Sequence, residues 1–103
     1  MDKRAYIVRK LCSSIEEYEA APRERMAIDL SLLAERLEES GFEEVVVQGP
    51  QLTVLMEDIG VVARVYSSGT IHLQAGLWAD CERACDIIFA MAMAKNGQGG
   101  KGP

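Results

Sequence analysis

The sequence predicts an α+β two-layer sandwich, an antiparallel sheet of four to five strands with two main helices on one face. Three observations lead there. One long stretch, RERMAIDLSLLAERLEES, carries apolar residues at helical spacing. The middle of the chain, residues 44–75, breaks into short alternating segments separated by tight turns. A second apolar-striped stretch follows from Asp80. The expected order is β-α-β-β-β-β-α.

The first strand is read at residues 5–11, with Tyr6, Val8 and Lys10 on one side and Ile7, Arg9 and Leu11 on the other. Ser13 and Ser14 each precede a glutamate by three residues, Glu16 and Glu17, as in a capping box. A short helix through Ala20 is therefore expected, with Pro22 interrupting or restarting it. In the long helix Met26, Leu30, Leu33 and Leu37 form one stripe, which Ile28 and Leu32 widen. Gly41 ends it, and Phe42 is placed to fold back on the last turn.

Four strands follow. Residues 44–48 are short and β-branched, and Gly49-Pro50 punctuates them. In residues 51–57, Leu52, Val54 and Met56 share one face; Thr53, Leu55 and Glu57 share the other. Asp58-Ile59-Gly60 turns the chain. Val61, Ala63 and Val65 then oppose Val62, Arg64 and Tyr66. Ser67-Ser68-Gly69 offers a turn with a glycine available for positive φ. Ile71, Leu73 and Ala75 oppose Thr70, His72 and Gln74. The short connections imply a meander with one apolar face for the helices and one mixed, half-wet face. In the last helix, with Asp80 as its N-cap, Cys81, Ala84, Cys85, Ile88, Met91 and Ala92 share one face. Trp78, which begins this helix in GLWAD, is read as a staple between helix and sheet, or else as an exposed interface contact. The domain is expected over residues 1–95, with the tail NGQGGKGP, residues 96–103, flexible.

The composition narrows the function. The chain has 103 residues, a formal net charge of −5 and 49% hydrophobic residues. That is one domain with one modest core. The acidic balance argues against nucleic-acid backbones and anionic membranes as partners; Lys3, Arg4, Arg9 and Lys10 form the only basic cluster. No apolar run is long enough to span a bilayer, and the start resembles no signal peptide, so a cytoplasmic location is expected. The three cysteines read as free thiols rather than a disulfide framework.

Few residues suggest chemistry. Cys81 and Cys85, four apart on a helix, would present two thiols on one side. They share that side with Ile88 and Met91, which favours packing over metal binding. His72 is the only histidine, and alternation places it off the core face. A functional histidine needs a partner, for which Glu57, Tyr66 and Arg64 are the candidates on neighbouring strands. The acidic pairs Glu16-Glu17, Glu38-Glu39 and Glu43-Glu44 read as solvated ends. No metal and no cofactor is expected.

From residue 5 to about residue 94 the order of elements resembles the S-adenosylmethionine decarboxylase fold, including the inactive copy that forms the N-terminal domain of spermine synthase. The likeness rests on the opening strand, the helix ending in Glu39-Ser40-Gly41, the hairpins, and the closing Ala84-Cys85-Asp86-Ile87-Ile88. Those enzymes generate a pyruvoyl group by cleaving a Glu-Ser bond, with a histidine just beyond. Here Glu57 is followed by Asp58 and Ile59. They also carry a catalytic cysteine after a later strand, where this chain has Gln74-Ala75-Gly76. The resemblance thus implies a non-catalytic copy, used for dimerisation or ligand binding. A second likeness, of VARVYSSGTIHLQAG and the helix after it to half of a TATA-box-binding protein repeat, implies a sheet face laid on a DNA minor groove. That face needs basic residues and intercalating phenylalanines, and this one offers Arg64 and Tyr66 beside Glu57.

The expectation is a small non-catalytic domain that self-associates as a dimer, or binds a protein partner, through its free sheet face. Leu55, Val62 and Tyr66 would be the apolar part of that surface, with Glu57, Arg64, His72 and Gln74 around them. The rival is a small-molecule binder or enzyme with a pocket near His72, Tyr66 and Glu57. A weaker third is nucleic-acid binding through the same face.

Overall fold

A computed structural model describes residues 6–10 and 16–93. The candidate caps Ser13 and Ser14, the third cysteine Cys12 and the tail from residue 96 lie outside the described residues. The elements are β1 (Tyr6–Lys10), β2 (Glu17–Pro22), α1 (Leu30–Glu39), β3 (Val45–Gln48), β4 (Gln51–Met56), β5 (Val61–Tyr66), β6 (Ile71–Gln74) and α2 (Trp78–Met93), with a short 3₁₀ turn at Glu57–Ile59. Six strands pair antiparallel throughout in the spatial order β1-β2-β6-β5-β4-β3. Both helices pack on one face, so the predicted α+β sandwich is present with one strand more than expected.

The added strand is β2. The short helix expected through Ala20 is instead part of this strand, which forms a hairpin partner for β1 with Tyr6 opposite Pro22 and Lys10 opposite Tyr18. Glutamate and alanine favour helix, and the capping-box spacing reinforced that reading. Burial decided otherwise. Tyr18 and Ala20 fall on the core face, while Glu17, Glu19 and Ala21 alternate onto the other.

Helix α1 is shorter than its apolar stripe suggested. Asp29 is its N-cap, extended at φ −79° and ψ 101°, and its carboxylate accepts from the Leu32 N–H at 3.1 Å. Residues 25–29 take no regular secondary structure before it, and the Ile28 N–H donates to the Ser67 carbonyl at 2.8 Å. Ile28 is buried, but by lying across the β5–β6 turn rather than by facing inward from a helix. At the other end the Phe42 N–H bonds the Leu37 carbonyl and the Gly41 N–H bonds that of Glu38, each at 3.1 Å. This is a Schellman stop, and Gly41 meets its positive-φ requirement at 106°.

The meander from β3 to β6 follows the sequence reading closely. Gly69, at φ 98°, makes the β5–β6 turn, and the side chains of Met26 and Pro22 press so close that a Cβ there would meet Met26 Cγ at 2.8 Å. Helix α2 begins at Trp78, two residues before the expected cap Asp80. The Leu77 carbonyl receives both the Asp80 and Cys81 N–H groups at 3.2 Å.

The core is one cluster. Leu30, Leu33 and Leu37 of α1 and Cys81, Ala84, Cys85, Ile88 and Phe89 of α2 meet Leu52, Val54, Met56, Val61, Ala63, Val65, Ile71 and Leu73 of the sheet. Each fully buried leucine or isoleucine contributes about 1.5–3 kcal/mol relative to exposure. Phe89, absent from the expected helix face, stacks on Tyr6 with ring centroids 4.8 Å apart. The Tyr6 hydroxyl donates to the Asp86 carboxylate, so β1 is tied to α2 across the layers. Arg36 of α1 donates to the Met91 carbonyl near the end of α2 at 2.6 Å, joining the two helices where a cation suits free carbonyls.

Candidate interaction face on the open side of the sheet

The strand registers set which side chains stand together on the face opposite the helices. One row crosses the whole sheet, a residue per strand: Arg9, Glu19, His72, Arg64, Thr53 and Val46. Beside it on one side run Glu17, Gln74, Val62 and Leu55. On the other side Tyr66 stands opposite Gln51, and Ile7 opposite Ala21 at the β1 edge.

Within the central row Glu19 uses both carboxylate oxygens. Oε1 accepts from Arg9 Nη2 at 2.8 Å and Nε at 3.0 Å. Oε2 lies 3.3 Å from His72 Nε2, an imidazole N–H donating to it when that nitrogen is protonated. The Arg9 hydrogen bonds hold the Glu19 carboxyl below its usual range; partial burial opposes this, and His72 adds to it. The Tyr66 ring meets His72 edge to face, centroids 5.2 Å apart.

Of the residues proposed for this face, Leu55, Val62, Arg64, Tyr66, His72 and Gln74 all stand on it. Leu55, Val62, Tyr66 and His72 are half-buried, and Arg64 and Gln74 exposed. Glu57 does not join them. It lies in the 3₁₀ turn after β4, beside a notch formed with Ser40, Gly41, Phe42, Glu43, Glu44, Leu55 and Asp58. The carboxylate that does reach His72 is Glu19. The sequence concealed it because the stretch through Ala20 reads as a helix; the period-two alternation of Tyr18 and Ala20 was the signal that could have revealed it. Glu17 likewise stands on the sheet rather than at a solvated helix end.

Next to His72 the surface dips into an open hollow of about 200 Å³, lined by Glu17, Tyr18, Val62, Arg64, His72, Leu73 and Gln74. Sites that enclose a small molecule generally measure about 300–1,000 Å³. A histidine oriented by a carboxylate can act as a general base, but the groups beside this one are Tyr66, Arg64 and Gln74.

Cys81 and Cys85 are free and buried on the inward side of α2. The hydrogen bond from its neighbour and burial together push the Cys85 thiol far above the ordinary range. Among the described residues no three of His, Cys, Asp or Glu are grouped to hold a metal ion. Trp78 meets Tyr18 edge to face at 5.6 Å and stays 43% exposed, so it both staples α2 to β2 and presents a ring outward. Among the described residues no helix is long and apolar enough to cross a membrane.

Neither a protein-family model nor a curated protein matches the chain.

Proposed function

We propose that this domain is a non-catalytic association module that binds a second copy of itself, or a protein partner, through the open face of its sheet. The observation that carries this reading is the composition of the face. Leu55, Val62 and Tyr66 flank a charged row, and the charges balance: Arg9 and Arg64 against Glu17 and Glu19. The chain as a whole carries −5. The acidic excess therefore lies on other surfaces, and this is the surface on which two copies approach without mutual repulsion. A broad, shallow face with scattered aliphatic and aromatic groups suits protein better than metabolite. The same balance disfavours nucleic acid, which calls for a net positive face. The competing reading, a decarboxylase-related small-molecule site, draws on the His72–Glu19 pair and the hollow beside it.

Hydroxyl-radical footprinting tests self-association through this face. With increasing protein concentration, Leu55, Tyr66 and His72 should become protected while Leu77 and Met93, exposed on and before α2, stay reactive. Constant reactivity of all five would rule out self-association through this face.

A further inference from the structure

A second feature lies at the outer edge of β3. Strand β3 is the last in the sheet order, so among the described residues no strand covers its far side. The other edge strand, β1, is guarded by Arg9 and Lys10. Strand β3 reads Val-Val-Val-Gln, with Val46 53% and Val47 39% exposed. An apolar, uncharged edge is a template for strand addition.

The direction of its free backbone groups is fixed. The Leu55 N–H donates to the Glu44 carbonyl at 3.1 Å, and β3 pairs with β4 with Val45 opposite Val54 and Val46 opposite Thr53. Bonding alternates along an antiparallel ladder. Glu44, Val46 and Gln48 thus turn their N–H and C=O groups toward β4, and Val45 and Val47 turn theirs outward.

We infer that a second copy of this chain docks on that edge, β3 against β3, antiparallel about a two-fold axis at Val46. A continuous sheet requires facing residues to lie on the same side, and the register centred on Val46 meets that condition. It sets Val45 against the partner copy's Val47, so the outward N–H and C=O of both residues are bonded. It brings the two Val46 side chains together at the close, non-hydrogen-bonded position. It sets Glu44 against Gln48, whose amide can donate to the carboxylate, and opposes no like charges. The contact is isologous and closes at two copies, whereas β1 against β3 would propagate without end. The bonds of this site come from the backbone of Val45 and Val47, which the open face does not use, although the Val46 side chain ends the open-face row; the ladder and the open-face contact can each fail without the other. If both operate with identical copies, assemblies larger than a dimer result.

Four variants test the pairing. Val46→Cys, in a Cys12→Ser background, should give a covalent dimer under mild oxidation, with peptide mapping showing a 46–46 link; Leu77→Cys, exposed just before α2 and away from both surfaces, should give far less in the same background. Val46→Lys opposes two cations on the axis and should weaken self-association about tenfold or more, at unchanged monomer stability because the side chain is half outside the fold. Leu55→Glu with Val62→Glu, on the open face, should leave the 46–46 cross-link intact. A Val46→Cys protein that stays monomeric or cross-links no faster than Leu77→Cys would overturn the inference. So would a Val46→Lys protein that associates as wild type does.

Discussion

Glu19 of β2 faces His72 of β6 directly across the strand seam, one carboxylate oxygen 3.3 Å from the imidazole and the other on Arg9. A single carboxylate thereby ties the β1 hairpin to the central meander on the open face. Its role is largest where it is charged.

Glu19→Gln should show this as a pH-dependent loss. The Glu19 carboxyl titrates below its ordinary 4.5 in the fold, so its contribution is fully present above that ordinary value and is lost as pH falls through the lowered one. Arg9 is largely exposed, and exposed pairs contribute about 0.2–1 kcal/mol. Urea denaturation should find the variant less stable by an amount in that range at neutral pH. The two proteins should converge in strong acid, where both side chains are neutral. A gap that persists unchanged in acid would assign the loss to packing instead.

Gly69 is required twice over, by its φ of 98° and by the Met26 and Pro22 atoms over it. Gly69→Ala should cost about 1–3 kcal/mol, the scale of strain at such positions. Gly76→Ala meets nothing within 4 Å and should stay within about 0.5 kcal/mol of wild type. Thermal or urea melts of the two variants read the difference directly.

The inward thiols of α2 should behave as packing. Replacing Cys81 and Cys85 together by alanine should destabilise the fold by about 1–3 kcal/mol, as modest cavity-forming changes do. Both thiols should resist an aromatic disulfide reagent at mildly alkaline pH and react once denaturant is added. About one zinc per purified chain, lost in the double variant, would show that they bind metal instead.

What the sequence made legible follows from which forces act locally. Strands β4, β5 and β6 were readable because Leu52/Val54/Met56, Val61/Ala63/Val65 and Ile71/Leu73 alternate cleanly, and Gly60 and Gly69 mark the turns between them. The Gly41 stop was readable for the same local reason. Strand β2 was not, because Glu17–Pro22 is rich in helix-forming residues, and its strand state depends on β1 and β6 lying on either side. Losing β2 also lost Glu19, and with it the partner of His72. Six of the proposed face residues could be assigned from parity alone. Which of them touch depends on register, which no single strand encodes; that is why Glu57, of the right parity if β4 had run one residue longer, stands apart in the turn after Met56.

Sedimentation equilibrium from low to high micromolar concentration tests the association reading most directly. The weight-average mass should rise above the monomer value of 11.3 kDa as concentration increases, and Leu55→Glu with Val62→Glu should lower it at every concentration. A wild-type mass that stays at the monomer value throughout would contradict self-association at the face and at the β3 edge alike.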